Sequence, residues 1–214
     1  DGQAITTTLS TGVRSGGAFA ARSESALDPR LAVLFRASSA LSFTASAYRA
    51  FRAPTLNELY RAFRVGNVST LANASLRAET FEGIEGGLAY ENRRRGVRFR
   101  GAFFQGRVRD PIVNATLSVT PDLTTRQRQN LGANRSLGFE SELQWDPSPA
   151  LSVSVSYLLS RARVDEAPAN RALEGLDLPQ SPRHQVTAQA RYTGPGGLRL
   201  SLQARGSGRQ FDDD

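Results

Sequence analysis

Apolar and polar residues alternate along most of this chain. In Leu151-Ser152-Val153-Ser154-Val155-Ser156-Tyr157 the odd positions are apolar and the even ones are serine. The same two-residue period runs through Gln185-Val186-Thr187-Ala188-Gln189-Ala190-Arg191-Tyr192 and through Leu198-Arg199-Leu200-Ser201-Leu202-Gln203-Ala204-Arg205. It recurs where Leu137, Phe139, Leu143 and Trp145 alternate with Ser136, Gly138, Glu140, Glu142 and Gln144. A period of two places alternate side chains on opposite faces of a strand. Further strands fit near 4–14, 30–36, 41–50, 79–91 and 96–109, about nine in all. They exceed the usual strand of roughly five or six residues. No amphipathic helix is evident, and any short one belongs in a loop, around Leu56-Asn57-Glu58-Leu59.

The connections sort into two kinds. Short turns lie at 37–40, 92–95, 146–150 and 193–197, rich in Ser, Asn, Pro and Gly. Long connections lie at 15–29, 51–78, 110–133 and 165–182. Short and long alternate strictly. A soluble sandwich has no reason to sort its loops so, whereas a transmembrane β-barrel has short turns on one side of the membrane and long loops on the other. By parity Phe35, Phe43, Tyr90, Phe99, Trp145 and Tyr192 all fall on the apolar faces of their strands and flank the short turns. That is the placement of an aromatic girdle at a membrane interface.

Composition narrows the chemistry. The 214 residues hold 27 basic and 20 acidic side chains, a net charge of +7, and every basic one is Arg. The arginines are spread along the chain. The dense run Arg93-Arg94-Arg95 has no aromatic platform beside it, so it reads as a solvated turn and nucleic acid is not an expected partner. There is no cysteine and one histidine, His184, which excludes thiol chemistry and a multi-His metal centre. Without Lys no Walker-type phosphate loop exists, and the Gly/Ser-rich stretch at 15–25 reads as a mobile loop. No apolar run approaches the roughly 18 residues of a membrane-spanning helix. The start Asp1-Gly2-Gln3 does not look like a signal peptide. Nine is an odd strand count, and single-chain bacterial barrels close with even numbers. The expectation is one partial barrel domain over 1–214, a piece of something larger.

Particular residues carry a family resemblance. Phe51-Arg52-Ala53-Pro54-Thr55-Leu56-Asn57-Glu58-Leu59-Tyr60 strongly resembles the barrel signature of TonB-dependent outer-membrane receptors. Asn73-Ala74-Ser75-Leu76-Arg77-Ala78-Glu79-Thr80 is similar to the family's Asn-x-x-Leu-x-Pro-Glu-Thr segment, with Ala78 in place of Pro. Glu85-Gly86-Gly87-Leu88-Ala89-Tyr90, Arg109-Asp110-Pro111-Ile112-Val113, Asn130-Leu131-Gly132, Gly138-Phe139-Glu140-Ser141-Glu142-Leu143 and Leu178-Pro179-Gln180-Ser181-Pro182-Arg183-His184 follow in the family's order. The resemblance covers about residues 28 to 214. It implies an all-β antiparallel meander, part of a 22-stranded transmembrane barrel in the outer membrane of a Gram-negative bacterium. At roughly 24 residues per strand, such a barrel needs roughly 520 residues. The family's signal peptide, TonB-box segment, plug and last strands have no counterpart in this sequence.

The resemblance also implies function: energised uptake of a large scarce solute such as an iron chelate, a corrinoid or a glycan. The expected partners are outer-membrane lipid, that solute, and a TonB-type energy-coupling protein acting through the plug. No cofactor and no metal site are expected, and the chain is not expected to be an enzyme. Arg52, Pro54, Asn57, Glu58, Tyr60, Glu79, Arg98, Arg100, Glu140 and Glu142 are the candidates for plug-facing or lumen-facing positions. Arg52 and Glu58 read either as plug or substrate contacts or as a structural cap where Pro54 ends the strand. Glu140 and Glu142 lie two apart on one strand face, side by side, rather than across a cleft as glycosidase carboxylates do. An Arg–Glu ladder with Arg98 and Arg100 is the expected arrangement. Arg64, Asn67, Asn114, Arg126, Arg128 and Arg171 are the candidates for ligand capture in the long loops. Two other classes fit the pattern less well: a passive porin-like barrel, and a secreted carbohydrate-binding β-sandwich.

Overall fold

The computed structural model describes residues 3–8, 14–19 and 21–210. The first two segments, β1 (Gln3–Thr8) and β2 (Arg14–Phe19), pair as an antiparallel hairpin. The strand expected near 4–14 corresponds to β1, with residues 9–13 outside the described ones, and the stretch 15–25, expected as a mobile loop, instead holds most of β2. Then come β3 (Arg30–Arg36), β4 (Leu41–Arg52), helix α1 (Leu56–Tyr60), β5 (Phe63–Val65), β6 (Val68–Leu71), β7 (Glu79–Asn92) and β8 (Val97–Arg109). The chain continues through β9 (Ile112–Val119), β10 (Thr124–Asn130), β11 (Ala133–Ser148), β12 (Leu151–Glu166), β13 (His184–Thr193) and β14 (Arg199–Ser207). Contacts divide this chain into two compact units: the described part of 1–28 with 50–80 and 109–132, and 29–49 with 81–108 and the described part of 133–214.

The larger unit is built on an eight-stranded sheet of order β14-β13-β12-β11-β8-β7-β4-β3. Neighbours in sequence pair antiparallel, β11 with β12 and β12 with β13, in registers such as Glu142↔Ser156↔Thr187, with shifts near Ala133 and Trp145 at the two ends of β11. Because paired residues share a face, the register sorts the side chains. One face carries Leu143, Val155, Ala188 and Ala204 in a row, and the other carries Gln144, Ser154, Gln189 and Gln203. The apolar face is bare: Leu31 is 70%, Phe103 68% and Leu202 73% exposed. A soluble sheet hides this face and shows the polar one to water. Here the polarity is reversed, as a barrel wall in lipid requires. The sheet is not closed, and no helix among the described residues is long and apolar enough to cross a membrane.

Aromatic rings also lie on the polar face, where they cover glycines. The Tyr48 ring lies over Gly83 and the Phe81 ring over Gly106, each 2.7 Å from where a Cβ would stand, and the Phe104 ring fills the corresponding space at Gly138. Tyr48 and Phe81 meet with centroids 5.7 Å apart. These glycines serve close ring-to-backbone packing.

The smaller unit holds segments expected to be irregular. The long connections at 51–78 and 110–133 form a four-stranded sheet of order β5-β6-β10-β9. β6 and β10 run parallel, while β5–β6 and β9–β10 are antiparallel. Leu76 is fully buried beneath it, with Leu59 and Thr70 nearly so.

Candidate functional site

The family-like residues of the smaller unit converge on a knot of ionic and backbone hydrogen bonds. Thr55 starts α1 as its N-cap: the Glu58 N–H donates to Thr55 Oγ1 (3.2 Å), and the Thr55 N–H donates to Glu58 Oε2 (2.7 Å). This reciprocal capping box explains why a five-residue helix forms at all. Pro54 precedes the cap and supplies no N–H to continue a ladder. The Arg52 guanidinium then clamps two carboxylates. Its Nε and Nη2 donate in parallel to Glu79 at 2.7 Å each, and its Nη1 donates to Glu58 at 2.9 Å. Glu79 Oε1 also accepts the Ile112 N–H at 2.7 Å, which ties β7 to β9. Partial burial pushes the Glu58 carboxyl up, but the hydrogen bonds from Arg52 and Thr55 outweigh it and hold it below the ordinary carboxylate range.

A second layer secures the neighbouring backbone. Asn73 Nδ2 donates to the Arg128 carbonyl (2.8 Å), and its Oδ1 accepts from the Ser75 N–H (3.0 Å). Asn130 Oδ1 accepts the Arg77 N–H (2.8 Å), while its Nδ2 donates to the Arg77 and Asp110 carbonyls (3.1 and 2.7 Å). Arg77 and Asp110 form an ion pair beside it. Arg128 Nη1 donates to the Asn57 carbonyl (2.9 Å) and the Arg61 carbonyl (3.3 Å) at the end of α1, and its guanidinium lies 5.1 Å from the Phe63 ring centroid. A cation at a helix C-terminus suits the negative end of the helix dipole, and here it joins the Arg61 N–H (3.2 Å) on the Asn57 carbonyl.

The other loop candidates have fewer ties. Arg64 Nε donates to the Gly66 carbonyl of its own turn, and the Asn67 carbonyl accepts the Thr124 N–H. Asn114 faces Arg128 across the β9–β10 ladder and is exposed. Arg126 is half-buried, with its Nε lacking a hydrogen-bond partner. Arg171 opens a short 3-10 turn in the last long loop and is exposed. Tyr60 closes α1, half-buried.

In the larger unit, the polar face forms a hollow of about 760 Å³ lined by Glu85, Arg100, Glu140, Glu142, Gln185 and Thr187, among others. The expected ladder is not formed. Among the described residues no carboxylate of Glu140 or Glu142 pairs with Arg98 or Arg100; Arg98 reaches Asp146 instead, at 3.4 Å. Asp146 stands on the same face of β11 as Glu140 and Glu142, nearer the turn, and it takes the Arg98 guanidinium. Arg52, Glu58 and Glu79 therefore form the tight ionic cluster, while Glu140, Glu142 and Arg100 are polar lining. His184 has a partner that the sequence pattern did not suggest: its Nδ1 lies 2.9 Å from the Tyr157 hydroxyl. Of the girdle aromatics, Phe35, Phe43, Tyr90, Trp145 and Tyr192 are exposed and Phe99 is half-buried.

A long antiparallel sheet with a bare apolar face and a polar hollow is a segment of transmembrane barrel wall. The family model for TonB dependent receptor-like β-barrels matches residues 4–214, and the chain belongs to that family. Its members are receptors rather than enzymes. Among solved structures, it is similar to the ferric enterobactin receptor of Pseudomonas aeruginosa in complex with enterobactin: 18% identity, 86% of this chain, 28% of that one, TM-score 0.67. It is also similar to the siderophore receptor PirA of Pseudomonas aeruginosa: 18% identity, 85% of this chain, 33% of that one, TM-score 0.68. The FrpB iron transporter of Neisseria meningitidis matches at 19% identity over 94% of this chain and 29% of that one, TM-score 0.58. The chain thus spans about a third or less of the length of these structures. Among curated protein sequences, no relative matches it.

Proposed function

We propose that this chain is a wall segment of an outer-membrane receptor of a Gram-negative bacterium that takes up a large scarce solute using energy delivered by a TonB-type protein. An iron chelate is the favoured class, because the ferric enterobactin receptor and PirA, whose fold it shares, bind such ligands by their descriptions. The observation that carries the reading is the reversed polarity of the eight-stranded sheet. Its apolar face suits lipid, and its polar hollow suits a water-filled or plugged lumen. In this reading Arg52, Glu58 and Glu79 hold the smaller unit together. Arg64, Asn67, Asn114 and Arg171 are the polar groups left for solute contact, and the girdle aromatics sit at the membrane interface.

The test is uptake by the full receptor in a bacterial strain lacking its own iron-chelate receptors. Radiolabelled ferric catecholates, hydroxamates and citrate, cobalamin and a maltooligosaccharide are offered with and without a protonophore. The expected result is saturable uptake of one of them, abolished when the proton gradient is collapsed. Non-saturable passage that survives the protonophore would support a passive pore and overturn the proposal.

A further inference from the structure

On the polar face of the larger unit, arginines gather at the end next to the short turns. Arg36 closes β3 and faces Ser42, one position from the apolar pair Phe35↔Phe43. Arg98 is the second residue of β8. Arg191 lies between Ser152 and Ser201 on its two neighbouring strands, and Arg199 opens β14 opposite Thr193. Each stands within ~10 Å of a turn, at about 3.3 Å per residue. The strands that carry them reach from β3 to β14, the two ends of the sheet order. At ~4.8 Å per strand the row spans ~34 Å of wall.

The turn between β7 and β8 adds Arg93, Arg94 and Arg95, all exposed. It is firmly held: the Arg95 N–H donates to Asn92 Oδ1 (3.1 Å), and the Asp146 N–H donates to the Gly96 carbonyl (2.7 Å). The carboxylates at this end are already taken. Glu91 accepts from Arg93 (3.0 Å), and Asp146 pairs with Arg98 (3.4 Å). Among the described residues no carboxylate pairs with Arg36, Arg94, Arg95, Arg191 or Arg199. The hollow on the same face has the opposite balance, with Glu85, Glu140 and Glu142 against Arg100. Glu142 and Glu140 stand ~13 and ~20 Å along β11 from Asp146. The face therefore changes sign along its strands, acidic in the hollow and basic at the rim.

We propose that this rim is an exit station for an anionic solute: Arg36, Arg191 and Arg199, with Arg94 and Arg95 on the turn, draw the solute's anionic oxygens out of the lumen. The station rests on the receptor reading above, in which the short turns face the periplasm. It narrows the solute to chelates of net negative charge. Rings of arginine line anion-selective pores, and a cleft of one sign between low-dielectric walls concentrates counter-ions. Screening over about 8 Å at physiological salt confines the effect to the rim. It therefore acts on a solute that has already passed the hollow, and capture at the long loops is untouched. A cation meets the opposite profile, held by the carboxylates of the hollow and repelled below.

The test uses the full receptor in cells lacking their own iron-chelate receptors, with surface binding measured separately on de-energised cells. The probes are a strongly anionic ferric tricatecholate, an uncharged ferric trihydroxamate and cobalamin. The wild type is expected to take up the tricatecholate. Arg36→Gln with Arg191→Gln and Arg199→Gln is expected to bind it at the surface unchanged and to take it up about tenfold more slowly, within the range for charge-lined clefts. The matching Lys variant is expected to keep most of the rate, because the rim needs charge rather than a planar fork. If the triple Gln variant does not reach the surface, Arg191→Gln alone carries the test, with a loss of about twofold expected. An unchanged rate in a Gln variant that binds overturns the station. Equal slowing of charged and uncharged solutes also overturns it, because the rim is then a contact for an acidic segment of the receptor. Uptake of uncharged solutes only overturns the station and leaves the receptor reading standing. Energised uptake of none of the probes overturns both together.

Discussion

Arg52→Ala tests whether the ionic knot holds the smaller unit together. The substitution removes four charge-assisted hydrogen bonds, two to Glu79 at 2.7 Å each and two to Glu58 at 2.9 and 3.2 Å, and leaves Glu58 and Glu79 facing each other. Breaking a fully buried pair costs about 3–5 kcal/mol, whereas an exposed pair is worth ~0–1 kcal/mol. The carboxylates are 18% exposed and the Arg52 side chain 44%, so the knot lies between these limits. Water solvates part of what is lost, and the loss comes to about 2 kcal/mol. The damage is local: the capping box of α1 and the Glu79 tie to the Ile112 N–H loosen. A change of that size speeds amide exchange by local opening roughly thirtyfold. The assay is hydrogen exchange of the full receptor, read at Thr55–Tyr60 and Ile112. Arg64→Ala, which removes one bond to its own turn, is the control. Arg52→Lys falls between, because it keeps the charge but not the paired geometry to Glu79. Acceleration below about threefold, or no greater than the control, would refute the reasoning and return Arg52 to the role of a free contact residue.

Asp177 predicts a pH response. The hydrogen bond from Arg183 is the main cause that holds its carboxyl below the ordinary range; burial opposes it, and the Arg183 charge with the hydrogen bond and charge of Arg161 outweighs that opposition. Its contribution is present above the unfolded value of about 3.9 and is lost as pH falls through the lower folded value. Exchange in the loop 167–183 should therefore accelerate only on acidification below that range, and Asp177→Asn should remove the dependence; a response centred near neutrality would contradict this. Gly106→Ala should destabilise the barrel by about 1–3 kcal/mol through overpacking against the Phe81 ring. In a Phe81→Ala background the same change should cost clearly less, as read from thermal unfolding in detergent, and an unchanged cost would sink the ring-over-glycine account.

The main sheet was legible because lipid and lumen impose a strict period of two. The segments read at 30–36, 41–50, 79–91 and 96–109 appear as Arg30–Arg36, Leu41–Arg52, Glu79–Asn92 and Val97–Arg109. The loop strands were not legible for a physical reason. Thr124-Thr125-Arg126-Gln127-Arg128-Gln129-Asn130 has no apolar position, so no period is visible, and its pairing with β6 is parallel and non-local. The capping box is a signal the sequence carries, Thr55 three residues before Glu58, that pattern reading passed over. The partners of Arg52 and Asn130 were not legible, because they come from segments far along the chain: Glu79 and Arg77. The Arg–Glu ladder failed because sharing a face fixes only the side of the sheet, and Asp146 competes for Arg98.

The geometry of the knot bears on where specificity resides. The ladders of β5, β6, β9 and β10 satisfy only part of the backbone of these long loops, and the remaining polar groups must still be satisfied. In this unit side chains supplement the ladders. Asn73, Glu79, Arg128 and Asn130 each hold at least one backbone group. A side chain held this way is poorly suited to recognising a solute, because engaging a ligand means abandoning a protein partner at a cost of order 1–3 kcal/mol. On the proposed receptor reading, the knot residues that resemble the family signature are expected to act as scaffold, and discrimination between solutes is expected to fall to exposed side chains outside the knot, such as Asn114 and Arg171. That expectation fits a signature that names a family and leaves the solute unnamed.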